Sequence, residues 1–600
     1  MPQRDARRRT EQRGLFPRRS ETMSIIHTTR SLTLILALLS TFLIACPSNS
    51  QLSMVAMQDG VRLATEVYLP KGGGDAFPTI LLRSPYGRGE SSQAKEYTKR
   101  GYAYVIQDVR GFGDSEGEHR VFYADGWREG FSDGADTVDW ITRQPWCDGH
   151  VGTAGGSALG ITQALLAPAT DKVGSQSIDV AASQFYGDLA YQGGVWRKSM
   201  CEGWLAMLKL DTTESTWKQH TVLDDFWGYY DAEAKAPEVT APAIHAGGWY
   251  DIFQQGTIDH FIARQNHGGP GAKGNQRLIM GPGAHGTYSK EAALRLPLLR
   301  AAAVRVSHHH QAFQDYWLKG RDNGIMDLPA VYYWTFGDDT SRDAPGMEWR
   351  VADTWPPFAT QELALFLTQD GLLTALSPTA QEASRSFTYD PADPFPTYGG
   401  NNLLLPSGPF DQREVNEGRT DILTFATEPL TKPIEITGHV FVHLAISTNA
   451  PDTDFTAKLI DVYPAGDDRE ILVLDGIQRV KFRHGFEEPE PLLTSAEEIV
   501  SVEIDLWSTS WIFNTNHRIG LHVSSSNYPR FEKNPNSGDD WPTEDNLHAA
   551  HNTIHMSESH PSALILPMKP DEQEVRLATI MNPEDLRKAR LERQAEEDAR

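Results

Sequence analysis

Residues 151–163 read V-G-T-A-G-G-S-A-L-G-I-T-Q: a short apolar run, a glycine pair, Ser157 and then a run of helix-forming residues. This order predicts a strand, a tight turn and a helix, with the serine at the apex and the first amides of the helix directed at it. The spacing is G-x-S-x-x-G rather than the commoner G-x-S-x-G, and Gly-Gly-Ser is also typical of ordinary loops. Ser157 is therefore a candidate nucleophile whose role depends on the rest of the chain.

Strand and helix patterns alternate on both sides of this stretch, over residues 53–170 and again over 238–350. Such alternation predicts βαβ units and a parallel sheet, in which ligands bind beyond the carboxyl ends of the strands. Tyr86, Asp108 and Ser157 all follow strand-like runs. We therefore expect them at one edge of the sheet.

Two later residues have the same placement. Asp251 and His285 each follow a strand-like run and a glycine-bearing loop. Together with Ser157 they complete the chain order Ser, Asp, His, which is that of an α/β-hydrolase.

Two segments outside this pattern predict additional structure. Residues 171–237 lose the alternation and predict a helical cap whose aromatic residues either line a substrate pocket or form the core of the cap. After Trp355, short alternating strands over 356–582 predict an antiparallel sandwich of jelly-roll type, and 583–600 form a charged tail. The cap aromatics are Phe185, Tyr186, Trp196, Trp204, Trp217, Phe226, Trp227, Tyr229 and Tyr230.

Length and charge restrict the class of protein. Six hundred residues exceed what one core organises and predict two or three domains. A formal net charge of −25 argues against nucleic acid and anionic membrane surfaces as partners. The three cysteines (Cys46, Cys147 and Cys201) fit neither a disulfide framework nor a zinc motif, and we expect no metal and no cofactor.

The first 46 residues predict export. Arginines precede an apolar run at 32–45, which is too short to span a bilayer and fits the hydrophobic region of a signal peptide. The run ends in L-I-A-C, typical of a bacterial lipobox, so Cys46 is the expected lipidation site; ordinary cleavage or an uncleaved anchor are the alternatives. We expect the protein in the periplasm or on the outer surface, held to the membrane only by this anchor. Met23 would give a signal of normal length, which makes residues 1–22 a candidate misassigned start.

Seven motifs taken together resemble the X-Pro dipeptidyl-peptidase / cocaine-esterase (CocE/NonD) family of serine hydrolases, over roughly residues 53–581. The motifs are R-S-P-Y-G at 83–87, Q-D-V-R-G-F-G-D-S-E-G at 107–117, G-G-S-A-L-G-I-T-Q at 155–163, G-W-Y-D-I-F at 248–253, G-P-G-A-H-G at 281–286, L-D-G-I-Q-R at 474–479 and S-S-N-Y-P-R-F-E-K-N-P-N-S-G at 525–538.

This resemblance implies an α/β-hydrolase core with a helical cap, followed by a jelly-roll domain. It also implies a catalytic triad of Ser157, Asp251 and His285, with an oxyanion hole formed by the Tyr86 hydroxyl and the backbone N–H of Ala158. The family usually has tyrosine directly after the nucleophile. Alanine at this position predicts a wider or reshaped pocket.

The expected activity is hydrolysis of an ester or amide through an acyl-enzyme, acting on a small ester or a short peptide. Acyl esterase and X-Pro dipeptidyl-peptidase both remain open, as does an α-amino acid ester hydrolase or acylase. A free α-amino group would need carboxylates near the site, and the candidates are Asp224, Asp225, Asp231 and Glu233.

Two alternatives from other classes are a carbohydrate-binding surface protein with a vestigial hydrolase domain and a metal-dependent hydrolase. The intact triad residues and Tyr86 argue against the first. We expect structural roles for His308–His310 and for the D-V-R-G motif at 108–111, where an Arg–Asp pair would hold the loop.

Overall fold

The computed structural model describes residues 50–71, 74–89, 91–287, 304–578, 582–585, 587–588 and 591–592. The predicted signal peptide, Cys46 and most of the charged tail lie outside the described residues. Within those residues, no helix is both long and apolar enough to cross a bilayer.

The first part of the chain alternates strands and helices as predicted. Its strands are β1 Ser50–Ala56, β2 Arg62–Tyr68, β3 Phe77–Ser84, β4 Ala103–Asp108, β5 Cys147–Gly156, β6 Val173–Asp179, β7 Tyr191–Gln192, β8 Val195–Trp196, β9 Ala243–Tyr250, β10 Gln276–Ala284, β11 Val331–Thr335 and β12 Glu348–Ala352. Its helices are α1 Ser91–Lys99, α2 Asp133–Thr142, α3 Ala158–Leu166, α4 Lys198–Met207, α5 Asp211–Gln219, α6 Asp225–Gly228, α7 Gln254–His267 and α8 Val306–Lys319.

Antiparallel strands dominate the rest of the chain. They are β13 Gln361–Leu367, β14 Leu373–Thr374, β15 Ser384–Tyr389, β16 Leu423–Ala426, β17 Ile434–Thr448, β18 Asp454–Val462, β19 Glu470–Arg479, β20 Val500–Phe513, β21 Arg518–Ser524, β22 Ala550–His555, β23 Ala563–Met568 and β24 Arg576–Leu577, with one short helix, α9 Arg413–Asn416.

Eleven strands of the described residues form one mixed sheet in the order β1-β2-β4-β3-β5-β6-β9-β10-β11-β12-β24. The strands from β4 to β11 in this order are parallel. Every residue of β4 and β9 is buried, as expected of parallel strands covered on both faces. Because β5, β6, β9 and β10 are neighbours, the residues that follow β5, β9 and β10 meet at one edge of the sheet.

The cap begins later than predicted. Residues of β6 lie between β5 and β9 in the sheet, so the predicted boundary at 171 is wrong. The sequence pattern does not reveal this strand, because its buried positions include the polar residues Ser175, Gln176 and Ser177. Hydrogen bonds cross the α3–β6 contact, where the Gln163 side chain donates to the Ser177 carbonyl at 3.0 Å and the Gln176 side chain donates to the Gln163 carbonyl at 2.9 Å. The cap itself holds α4, α5, α6 and the β7–β8 hairpin.

Strands β13–β23 form two antiparallel sheets around a shared apolar core, here called the C-terminal sandwich. The predicted antiparallel sandwich is thus confirmed, and the jelly-roll order of its strands stays a prediction. The predicted boundary at 582 is too late, because β24 leaves the sandwich and pairs with β12 at the edge of the first sheet.

Candidate active site

Ser157 occupies a strained turn between β5 and α3. Its backbone has φ 58° and ψ −128°, in the left-handed region that side chains rarely adopt. The Ser157 amide donates to the Asp179 carbonyl at 2.9 Å, which fixes the turn against the end of β6. A side chain at Gly160 would place its Cβ 2.9 Å from the Asp179 carbonyl oxygen at the end of β6, so only glycine lets helix and strand approach this closely. The predicted nucleophile elbow is therefore present, rather than an ordinary loop.

His285 joins Ser157 to Asp251. The His285 Nε2 atom lies 2.9 Å from Ser157 Oγ, and its Nδ1 lies 2.6 Å from Asp251 Oδ2. Asp251 is fully buried, and its second carboxylate oxygen accepts the Phe253 N–H at 2.8 Å. An imidazole that donates from Nδ1 to Asp251 presents the Nε2 lone pair to the serine hydroxyl. The structure thus brings together all three residues of the predicted triad.

The Tyr86 hydroxyl lies within hydrogen-bonding distance of the Ser157 side chain. The indole N–H of Trp204 donates to the Tyr86 hydroxyl oxygen at 2.9 Å. Burial of the hydroxyl raises the pKa of Tyr86, although hydrogen bonds to Trp204 and Ser157 oppose the rise. The phenol therefore keeps its proton at neutral pH and can donate it. Ala158 begins α3, and the first amides of a helix have no acceptor within it. The Tyr86 hydroxyl and the Ala158 amide therefore both lie next to Ser157, and their role as oxyanion donors stays a prediction.

A small cavity opens beside the nucleophile. Its lining is almost wholly apolar, and no acidic side chain is part of it. The lining residues are Ser157, Ala158, Ile161, Leu189, Met200, Cys201, Trp204, Ile252, Phe253 and Leu403. Burial raises the pKa of the Cys201 thiol, which keeps this wall uncharged. We call this cavity the acyl pocket.

The four carboxylates considered for a free amine lie elsewhere. Asp224 caps α6 and contacts His220, and Asp225 is exposed. Asp231 accepts backbone amides of the next turn. Glu233 accepts the hydroxyl of Ser183 in a separate buried cluster. None of the four lines the acyl pocket.

Most of the cap aromatics form its core, and Trp204 is the one among them that lines the acyl pocket. Phe185 stacks on Tyr230 with ring centres 4.8 Å apart, whereas Trp204 stacks on Phe122 at 5.8 Å and reaches the site. Trp204 occupies a position on α4 at the helical spacing typical of core residues, so the sequence does not distinguish it from the other cap aromatics.

The residues given structural roles act as expected, with different partners. Arg110 pairs with Asp59 and Asp133, while Asp108 pairs with Arg88. These pairs hold the loop that follows β4. Of the three histidines, His309 packs on Tyr332, His308 lies near Glu584, and His310 lies 3.1 Å from Asp179. No group of three or more metal-ligating side chains occurs in the described part of the chain.

Two domains of known families match this chain. Residues 59–216 and 205–287 match the X-Pro dipeptidyl-peptidase domain of the S15 family. Residues 323–565 match the X-Pro dipeptidyl-peptidase C-terminal non-catalytic domain. The two matches cover most of the sheet, the cap and most of the C-terminal sandwich.

Among known proteins, the cocaine esterase of Rhodococcus sp. (strain MB1 Bresler) is 33% identical over 591 residues, covering 86% of this chain and 97% of the relative. An aminopeptidase from a marine sediment Thaumarchaeota archaeon has the same fold, with a TM-score of 0.72 at 23% identity over 87% of this chain and 98% of its own. An α-amino acid ester hydrolase also has a TM-score of 0.72, at 24% identity over 88% of this chain and 98% of its own.

Proposed function

The chain belongs to the X-Pro dipeptidyl-peptidase / cocaine-esterase family of serine hydrolases, and on that premise we propose that it hydrolyses esters of uncharged, apolar carboxylic acids. The observation that carries this proposal is the lining of the acyl pocket, which offers apolar side chains to an acyl group and no carboxylate to an ammonium group.

The reaction proceeds in two halves. Ser157 Oγ attacks the ester carbonyl as His285 takes the serine proton, and the tetrahedral intermediate places its negative oxygen between the Tyr86 hydroxyl and the Ala158 N–H. His285 then gives the proton to the leaving alcohol, which leaves an acyl group on Ser157. Water, activated by His285, repeats the sequence and releases the acid. Asp251 keeps the imidazole in the productive tautomer throughout.

The acyl pocket distinguishes between the substrates that the family resemblance leaves open. A protonated α-amine buried against Leu189, Met200 and Ile252 would lose its hydration without gaining a counter-charge, which costs several kcal/mol. An aliphatic or aromatic acyl group gains about 25 cal/mol for each Å² of apolar surface that it buries. These points favour an esterase over an aminopeptidase.

The test is a comparison of matched substrates on the purified protein. We expect turnover of p-nitrophenyl butyrate, much weaker turnover of alanine p-nitrophenyl ester, and none of Ala-Pro-p-nitroanilide. Ser157→Ala is the control and should abolish the enzymatic rate. Preference for the alanine ester or for the anilide would contradict the proposed acyl specificity.

We also propose that the protein is exported and anchored through Cys46. The support is the sequence of the N-terminal 46 residues. Mass spectrometry of the mature N-terminus should find a lipidated Cys46 after loss of the preceding residues. A mature N-terminus at any other position would contradict the anchor.

A further inference from the structure

We propose that Asn401, in the C-terminal sandwich, is a positioning residue for the catalytic acid. This inference rests on the proposed function of Ser157, Asp251 and His285. It assigns a role in catalysis to a domain whose family description is non-catalytic.

Asn401 reaches the backbone of the segment that carries Asp251. Its side-chain amide donates to the Asp251 carbonyl at 2.7 Å and to the Trp249 carbonyl at 3.2 Å. The Asn401 side chain is buried, with 4% of the residue exposed. Asp251 lies just beyond the end of β9, where the sheet no longer holds the chain. The two hydrogen bonds from Asn401 therefore hold the backbone of Asp251 in place of strand pairing. The position of this backbone sets the orientation of the carboxylate.

The loop that carries Asn401 is held in place by contacts of its glycine residues. Gly399 and Gly400 have φ of 77° and 81°, and Gly400 exchanges backbone hydrogen bonds with Gly408 at 2.9 and 3.1 Å. A Cβ at Gly400 would lie 2.8 Å from a carboxylate oxygen of Asp475. Asp475 is itself buried and paired with Arg530, so Asn401 starts from a rigid support.

This support explains the motif at 525–538, which the sequence analysis left without a catalytic role. Arg530 of that motif pairs with Asp475, and the Tyr528 carbonyl accepts the Thr397 amide at 2.8 Å. The motif therefore holds the Asn401 loop against Asp251, although it lies far from the nucleophile in sequence.

Residues of the C-terminal sandwich also accept hydrogen bonds from the residues on either side of Asp251. The Tyr250 hydroxyl donates to the Leu472 carbonyl at 3.0 Å. Beyond Asp251, the side chain of Gln254 donates to the Ser508 carbonyl at 2.7 Å. Asn401 differs from these because it contacts the peptide of the acid residue itself. Loss of its donors should tilt Asp251 relative to His285 while the neighbouring contacts keep the fold together.

The adjacent Asn402 supplies a matched control. Its side-chain amide also donates two hydrogen bonds, but to the Gly399 and Pro406 carbonyls of its own loop, at 2.7 and 3.0 Å. Asn402 is 3% exposed, so its burial equals that of Asn401. The same loop carries Leu403 of the acyl pocket. Loosening the loop should therefore raise KM, whereas misplacing Asp251 should lower kcat.

The experiment compares Asn401→Ala with Asn402→Ala in the full chain. Two quantities are measured for each variant: the steady-state kinetics of p-nitrophenyl butyrate hydrolysis, and the rate at which a fluorophosphonate labels Ser157. The label requires an activated serine but no acyl fit. We expect Asn401→Ala to lower kcat and the labelling rate on the order of 10- to 100-fold with little change in KM. We expect Asn402→Ala to keep both rates and to change KM alone.

Thermal unfolding of each variant accompanies the assay, and Asn401→Ser takes the place of a variant that fails to fold. Equal losses of kcat in the two alanine variants, or a change confined to KM in Asn401→Ala, would overturn the positioning role. Absence of both ester turnover and Ser157 labelling in the unaltered protein would overturn the proposed function and this role together.

Discussion

Asp251 and a second group of carboxylates near α7 differ in the contacts that surround their oxygens. Asp251 precedes α7 in the chain, and its two carboxylate oxygens contact His285 and the Phe253 amide. The second set, here called the acidic cluster, consists of Asp188, Glu233 and Asp259. Its members lie close to one another, and the Ser183 hydroxyl lies against both Asp188 and Glu233.

Burial is the main cause of the raised pKa in all three members of the acidic cluster, and for Glu233 and Asp259 repulsion from Asp188 adds to the rise. For Asp259 it raises the pKa to about 7. Both carboxylate oxygens of Asp251 have donors directed at them, whereas burial disfavours the ionised form of each carboxyl in the acidic cluster. Substitutions at Asp251 should therefore affect catalysis, and substitutions in the acidic cluster should affect stability.

The largest expected effect is that of Asp251→Asn. The amide keeps the volume of the carboxylate but presents an N–H or a neutral oxygen to His285, which favours the wrong tautomer. We expect kcat for p-nitrophenyl butyrate to fall about 10⁴-fold, with the melting temperature little changed. A comparable rate in this variant would show that Asp251 does not orient His285.

Tyr86→Phe should have the next largest effect. It removes one oxyanion donor and leaves the ring in place, so kcat should fall by about 10² to 10³. The measurement is steady-state kinetics on the same ester, and an unchanged kcat would remove Tyr86 from the oxyanion hole.

Trp204→Phe should have a smaller effect of the same kind. It keeps the aromatic wall of the acyl pocket but removes the hydrogen bond that orients the Tyr86 hydroxyl. One neutral hydrogen bond is worth about 1 kcal/mol, so we expect a loss in kcat of about fivefold. Adding Trp204→Phe to Tyr86→Phe should then cost less than it does alone, because the phenol that it orients is already absent. Additive losses would contradict this coupling.

The smallest effect on catalysis should come from Asp259→Asn, which acts on stability instead. The folded pKa of Asp259, about 7, lies above its ordinary value of about 3.9. The stability linked to the protonated carboxyl is therefore fully present below the ordinary value and is lost as the pH rises through about 7. The variant should unfold at a higher temperature than the unaltered protein at pH 8 and at a similar temperature at pH 4, with kcat preserved.

Asp225→Asn, at an exposed carboxylate of the cap, is the control for that experiment. It should follow the pH dependence of the unaltered protein. If the unfolding temperature of Asp259→Asn has the same pH dependence as that of this control, protonation of Asp259 does not contribute to stability.

The sequence allowed the triad to be predicted because each member follows its own strand and glycine-bearing loop. Those signals are local, and the parallel sheet then brings their ends together. The residues that escaped prediction act across long separations. Trp204 meets Tyr86 118 positions away, and Asn401 meets Asp251 150 positions away. No local pattern marks such contacts, because an asparagine in a glycine-rich loop is typical of turns.

The strand β6 and the acidic cluster escaped prediction for a related reason. β6 has polar residues at buried positions, and burial raises the pKa of all three carboxyls of the acidic cluster, which favours their protonated form. A pattern based on apolar periodicity places such residues on the surface.

The central claim is that Ser157 carries an acyl group during turnover, and trapping that intermediate tests it most directly. The protein would be quenched in acid during turnover of p-nitrophenyl butyrate and its peptides analysed by mass spectrometry. The account predicts a butyryl group on the peptide that contains Ser157, and none in Ser157→Ala. An acyl group on another residue, or turnover that survives in Ser157→Ala, would contradict it.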